Sequence, residues 1–342
     1  MVKHIRKSQV VFVLLIIFAS LVSACGPKTA VPETAISETS APNETQIPPT
    51  PTPGTPTVLL VASPDADPAL TARLQATLET LAAESSLTLT IVSSLTQDQL
   101  TENIKVVVGL GTGTDLAALA LAAPAIQFVA IDQPNVMPGA NLSVIGDPLV
   151  EEERQSFMGG YLAALVTSDY KVAALIPSDI PLTAEAQNAS LTGARFFCGL
   201  CKSLYPPYNS YPQVLTMPVS SDAATIQNTA ANLVALGVEV VYVHAELVTP
   251  ELLNLLADNG IEVVGGASPD MARNNWVGTV AVDPAPALAA IWGDLVAGNG
   301  GQQVPGAIAL LDLESGLLSD GRRIMFEEMK TDLENNLVLP ET

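Results

Sequence analysis

Basic residues are scarce in this sequence: 14 Lys and Arg stand against 35 Asp and Glu, for a formal charge of −21. A surface of that sign repels phosphate backbones, which argues against nucleic acid as a partner. Histidine is nearly absent, with two residues, and cysteine is limited to three. That supply is too thin for a zinc centre. A Ser-His-Asp triad in the body of the chain would have to use His244, and no G-x-S-x-G elbow is present. No metal, no cofactor and no enzymatic activity are therefore expected. Aromatic residues make up 4% of the chain, whereas Ala, Leu and Val abound, a composition suited to short buried strands wrapped by Ala-rich helices. Long apolar runs are missing too. The stretch from Val10 to Leu21 is almost wholly apolar, but crossing a bilayer core takes roughly 20 such residues.

What is present at the N-terminus reads as an export signal. Lys3, Arg6 and Lys7 precede the apolar stretch, and the small residues Ser23 and Ala24 follow it before Cys25. Val22-Ser23-Ala24-Cys25 resembles the lipobox of bacterial lipoproteins, which implies removal of residues 1–24 and lipidation of Cys25. Each buried acyl CH₂ contributes ~0.8 kcal/mol, so two or three chains on one residue hold firmly. The expected location is the extracytoplasmic face of the cell membrane, lipid-anchored. Residues 25–57 are rich in Pro, Thr, Ser and Glu, including Pro48-Pro49-Thr50-Pro51-Thr52-Pro53. Such a segment has little to bury and stays extended, a semi-rigid tether.

From Val58 onward, apolar runs alternate with helical periodicity. Val58–Ala62 is a short, fully apolar run of the kind buried on both faces of a parallel sheet. Asp67-Pro68 then caps a helix to Glu84 carrying Leu70, Leu74, Leu78 and Leu81. Further strands are expected at Thr88–Val92, Lys105–Leu110, Ile126–Ile131, Leu142–Ile145, Val172–Ile176, Val214–Val219, Val238–His244, Glu262–Gly265, Val277–Val282 and Ala307–Leu311. Helices are expected at Glu151–Ser168, Ala184–Leu204, Ala223–Ala235, Pro250–Asn259, Pro284–Ala297 and Asp320–Asn335. The expected fold is α/β, two doubly wound parallel-sheet lobes, because this many strands suits two sheets better than one. In such sheets ligands bind beyond the carboxyl ends of the strands.

The run from Glu151 through Phe157-Met158-Gly159-Gly160-Tyr161-Leu162-Ala163-Ala164 resembles the E-x-x-S/A-F-L-A-G-Y-L-A-A helix of the basic membrane protein family of substrate-binding lipoproteins. Gln127–Asp132, Gly237–Tyr242 and the stretch from Leu318-Ser319-Asp320-Gly321 to Glu334 are similar to other segments of that family. The resemblance covers most of residues 58–340. It implies a type 1 periplasmic-binding-protein fold, with lobe 1 formed by 58–146 and 279–305 and lobe 2 by 147–278 and 306–342. It also implies a monomeric receptor that passes a small-molecule solute, in the relatives a purine nucleoside, to an ABC permease. Two positions depart from the pattern. Where the family has an Asp-x-x-Phe-Asn segment, this chain has Ser63-Pro64-Asp65-Ala66-Asp67-Pro68, and Gly265-Gly266-Ala267-Ser268 lacks the family's ribose-binding Asp. The alternative is a ligand-sensing or structural surface lipoprotein whose cleft has degenerated.

Polar residues at strand ends are the candidate ligand contacts: Ser63, Asp65, Ser93, Gly111, Thr112, Asp132 and Gln133 in the first half, Ser178, His244, Glu246, Ser268 and Asp270 in the second. For any single one of them turn or cap duty is the plainer reading, and Asp132, on which the matched segment ends, is the foremost candidate. Gly109-Leu110-Gly111-Thr112-Gly113-Thr114-Asp115 lacks the third glycine of a dinucleotide fingerprint and reads as a tight strand-to-helix turn capped by Thr114 or Asp115. Glu151-Glu152-Glu153 reads as an acidic first helical turn. Cys198 and Cys201 are the only cysteines left once Cys25 carries lipid, and they read as a structural disulfide or reduced pair locking the Pro- and Tyr-rich loop that follows.

Overall fold

The computed structural model describes residues 54–340 except Asp65 and Pro134. The expected signal segment, the lipidation site Cys25, most of the tether and the candidate contact Asp65 lie outside the described residues. Two six-stranded sheets form the body. The first contains β1 (Thr57–Ala62), β2 (Thr88–Val92), β3 (Ile104–Leu110), β4 (Gln127–Ile131), β5 (Leu142–Ile145) and β11 (Gln303–Val304). Its order is β11-β5-β4-β3-β1-β2, and every pair is parallel. The second contains β6 (Val172–Pro177), β7 (Gln213–Met217), β8 (Val240–Val243), β9 (Glu262–Gly265), β10 (Trp276–Asp283) and β12 (Ala307–Leu311). Its order is β12-β10-β9-β8-β6-β7, parallel except for β12 against β10.

Period-two burial explains why these runs are strands with helices on both sides. Val58 and Leu60 of β1 face one core with Leu74 and Leu78 of α1 (Pro68–Glu84) and with α7 (Pro284–Val296). Leu59 and Val61 face the opposite core, which holds Leu116 and Leu119 of α2 (Leu116–Ala122). The second sheet is covered on one face by α3 (Pro148–Val166), α4 (Thr183–Cys198) and α8 (Asp320–Glu334). Its other face carries α5 (Ala223–Ala235) and α6 (Pro250–Asp258). Asp67 caps α1 through the Ala69 N–H, and Asp115 caps α2 through the Ala118 N–H, so the glycine-rich stretch before α2 is a strand-to-helix turn.

The signature helix α3 owes its small residues to close packing. A Cβ on Gly160 would meet the backbone carbonyl of Ser190 in α4, and one on Gly193 of α4 would meet the carbonyl of Phe157 in α3. Gly159 lies against the Tyr242 ring in the same way. Glycines let the two helix backbones and the sheet approach to a distance that no side chain would permit.

Three boundaries differ from the sequence reading by more than two residues. Helix α4 stops at Cys198, not Leu204, because Gly199 takes φ 62° and turns the chain away. Helix α3 starts at Pro148, capped by Asp147, earlier than the expected Glu151. Strand β10 belongs wholly to the second sheet, so the chain crosses after Asp283 and not between residues 278 and 279. The chain passes between the sheets three times, after β5, after β10 and between β11 and β12.

Candidate functional site

A cavity of about 590 Å³ opens where the first sheet's strand ends meet these crossings. Ile131 and Ile145 end β4 and β5 within it, Pro148 and Glu151 enter from the start of α3, and Val282 enters from the end of β10. Both lobes therefore contribute to its wall. Asp132 and Gln133 are the two sequence candidates that line it. Asp132 takes φ 52°, a left-handed conformation that Asp tolerates better than most residues, and it is exposed.

The neighbouring candidates shape this edge by bonding to one another. Gln133 Nε2 donates to the Gly111 carbonyl at 2.7 Å, and the Gly113 N–H donates to Ser63 Oγ at 2.7 Å. Ser63, the Gly111-Thr112-Gly113 turn and Gln133 thus form one tied rim. Ser93 stands exposed at the end of β2, the outermost strand, and does not line the cavity.

Glu151 was expected to complement the helix dipole, and it lies in the first turn of α3, but it also does more. Its Oε1 accepts the Gly306 N–H at 2.5 Å, joining α3 to the third crossing. Burial pushes its carboxyl above the ordinary Glu value; hydrogen bonds from the Gly306 and Asp147 backbones oppose that rise, and the charges of Asp147 and Asp132 add to it. The carboxylates of Asp132, Asp147 and Glu151 thus converge where the lobes join.

At the second sheet's edge the candidates have other partners. His244 is buried, and its Nδ1 accepts the Glu246 N–H at 3.2 Å. That leaves the Nε2 proton to donate to Glu152 Oε2 at 3.0 Å, while Ser156 Oγ donates to Glu152 Oε1 at 2.8 Å. The serine hydroxyl therefore bonds to the carboxylate and not to the imidazole, an order that does not activate a nucleophile. Asp270 accepts a hydrogen bond from Arg273 Nη2 at 2.7 Å, and this holds its carboxyl below the usual range. Ser178, Glu246 and Ser268 are exposed, and none of them lines the cavity. Among the described candidates, Asp132 and Gln133 line the cavity, and both stand at the first sheet's edge.

Three residues that sequence reasoning missed complete the region. Glu152 holds His244, and Gln155 is buried with Nε2 donating to the Gly266 and Val280 carbonyls at 2.6 and 2.7 Å, so α3 is bonded to β10 and to the loop after β9. Gly306 supplies the amide that Glu151 holds. The first two lie in the signature helix, where polar residues on a buried face were the available signal. Away from the cavity, Cys198 and Cys201 form a disulfide at the end of α4. Asp169 accepts N–H groups of Leu204 and Tyr205 in the following loop, and Lys171 bonds Asp169 at 2.8 Å and the Pro206 carbonyl at 3.2 Å. Among the described residues, no group of three His, Cys, Asp or Glu is arranged to hold a metal ion, and no helix is long and apolar enough to cross a membrane.

No protein-family model matches the chain, and no curated protein matches its sequence. Solved structures do match. An ABC transporter solute-binding protein from Conexibacter woesei DSM 14684 is similar with a TM-score of 0.58 at 16% identity, over 83% of this chain and 97% of that one. A transcriptional activator of the comK gene from Bacillus halodurans gives 0.54 at 14% identity, over 83% and 100%. A solute-binding protein of an ABC transporter system from Aeropyrum pernix K1 gives 0.51 at 14%, over 83% and 92%. At these identities the likeness is one of fold: the chain has a type 1 periplasmic-binding-protein-like architecture, two α/β lobes on parallel-dominated sheets.

Proposed function

We propose that this protein is a lipid-anchored, extracytoplasmic receptor that captures a small polar solute between its lobes and passes it to an ABC permease. The observation that carries the reading is the cavity, lined from both lobes at the strand ends where doubly wound sheets bind ligands. The fold is shared with solute-binding proteins of ABC transporter systems, which supports capture rather than chemistry. The segment ending in Cys25 supports the anchor, and the acidic surface supports a partner other than nucleic acid.

The purine nucleoside implied by the family resemblance is one arm of the test. Thermal denaturation of the purified protein with nucleosides, sugars, amino acids and amines should reveal stabilisation that saturates and grows as RT ln(1 + [L]/Kd) for a true ligand. A flat response across the whole panel would instead favour a surface lipoprotein with a closed or vestigial cleft. Replacement of Cys25 by Ala should release the protein from the membrane fraction; retention there would sink the anchor.

A further inference from the structure

The lining of the cavity is unusual for a nucleoside site. Its walls are mainly aliphatic, with Leu70, Ile131, Val136, Val144, Ile145 and Val282 among them, and its charged groups are the carboxylates Asp132 and Glu151. Among the described residues that line it there is no Lys, Arg or His, and no Phe, Tyr or Trp. A purine base would find no ring to stack on, and a carboxylate or phosphate ligand would find no cation while meeting two like charges. A cation with a hydrocarbon body meets both features of the wall.

We infer that the solute is an aliphatic ammonium compound, its charge held between Asp132 and Glu151 and its carbon chain laid along the aliphatic wall. This deepens the proposed function and rests on it. Asp132 is solvent-exposed and sits at the mouth of the β4 strand end, where it can meet an arriving ligand. Glu151 is more buried, and its carboxylate already accepts backbone hydrogen bonds, so an ammonium group would use the acceptor sites that remain on its two oxygens. The charge of Asp132 already acts on Glu151, and a cation between them would relieve that repulsion. The amide groups of Gln133 and Asn135 offer further polar contacts at the rim.

The test is calorimetric titration of the full mature chain with pentylamine, 1-pentanol, pentanoate and adenosine. The first three share one carbon chain and differ in the head group. Pentylamine should bind about tenfold or more tighter than 1-pentanol, with pentanoate silent, because only the ammonium gains from two carboxylates. Asp132→Asn should remove that advantage and leave 1-pentanol unchanged; Asn also tolerates the left-handed backbone at this position, so the variant should fold. Glu151→Gln keeps an acceptor for Gly306 and serves as the second variant, with the same expected loss. Equal binding of amine and alcohol, or preference for pentanoate or adenosine, would overturn the ligand class and leave solute capture standing. Silence of all four probes would overturn the ligand class as well, and the wider solute panel then decides separately whether the cleft captures anything.

Discussion

The two sheets end in comparable rows of polar residues, yet they use them differently. At the first sheet, Asp132 and Gln133 border a cavity, and the bonds among Ser63, Gly113, Gly111 and Gln133 shape its rim. At the second, His244 is turned inward onto Glu152 and Asp270 is held by Arg273. A polar residue at a strand tip is therefore not by itself a ligand contact. Whether a helix packed on the sheet offers a partner decides its fate. Helix α3 supplies Glu152, Gln155 and Ser156 to the second sheet's edge, while the first sheet's tips receive only its opening turn.

If the second lobe is the internally tied one, disturbing its ties should cost the most stability. Gly193→Ala should be the most damaging change, lowering unfolding free energy in urea by about 2–4 kcal/mol, since neither the new methyl nor the Phe157 carbonyl can move aside. A loss below ~1 kcal/mol would mean the α3–α4 contact is loose. His244→Leu should cost about 2–3 kcal/mol by depriving the half-buried Glu152 carboxylate of its imidazole donor. An unchanged midpoint would erase the difference between the two edges.

Smaller effects are expected at the cavity that both lobes line. Glu151 has a raised folded carboxyl value, so the folded state holds its proton more tightly than the unfolded chain does. Its contribution is complete below the unfolded Glu value and is lost as pH rises through the folded one. Glu151→Gln should therefore flatten the fall in stability between those two values and leave the variant at least as stable as the parent above them, as read by thermal midpoints over a pH series. A variant less stable there would mean the ionised carboxylate is needed at Gly306. Asp132→Asn should change stability by less than ~0.5 kcal/mol, as for an exposed residue whose backbone Asn accepts. A larger loss would make Asp132 structural and weaken its role as a ligand contact.

The strand and helix alternation was legible because buried parallel strands are short apolar runs and helices open on a capping residue followed by Pro, as at Asp67-Pro68 and Asp283-Pro284. The overrun of α4 has a plain cause: Leu200 and Leu204 continue an apolar pattern, but Gly199 ends the helix and both leucines are exposed. Strand β11 has two residues, too few for any periodicity. The site was half legible. Asp132 stands out as the first polar residue after an apolar strand, whereas the roles of Glu151, Glu152 and Glu153 were hidden because three adjacent carboxylates on a helix point in different directions. Glu151 reaches Gly306, Glu152 reaches His244, and Glu153 is buried. Nothing local in the sequence distinguishes them; the partners are more than 90 residues away in the chain.

The crossings are stitched to one another as well as to the lobes. The Gly146 N–H bonds the Val304 carbonyl at 2.9 Å, Glu151 holds Gly306, and Asp283 at the end of β10 pairs with Ala307 of β12. Three cords fastened side by side resist torsion and sliding far more than flexing, as a strap does. Rotation about a single line across the strap is then the soft coordinate, and a load placed on Glu151 is felt by the strap itself. Charge arriving in the crevice would thus act on the same few bonds that set its opening angle.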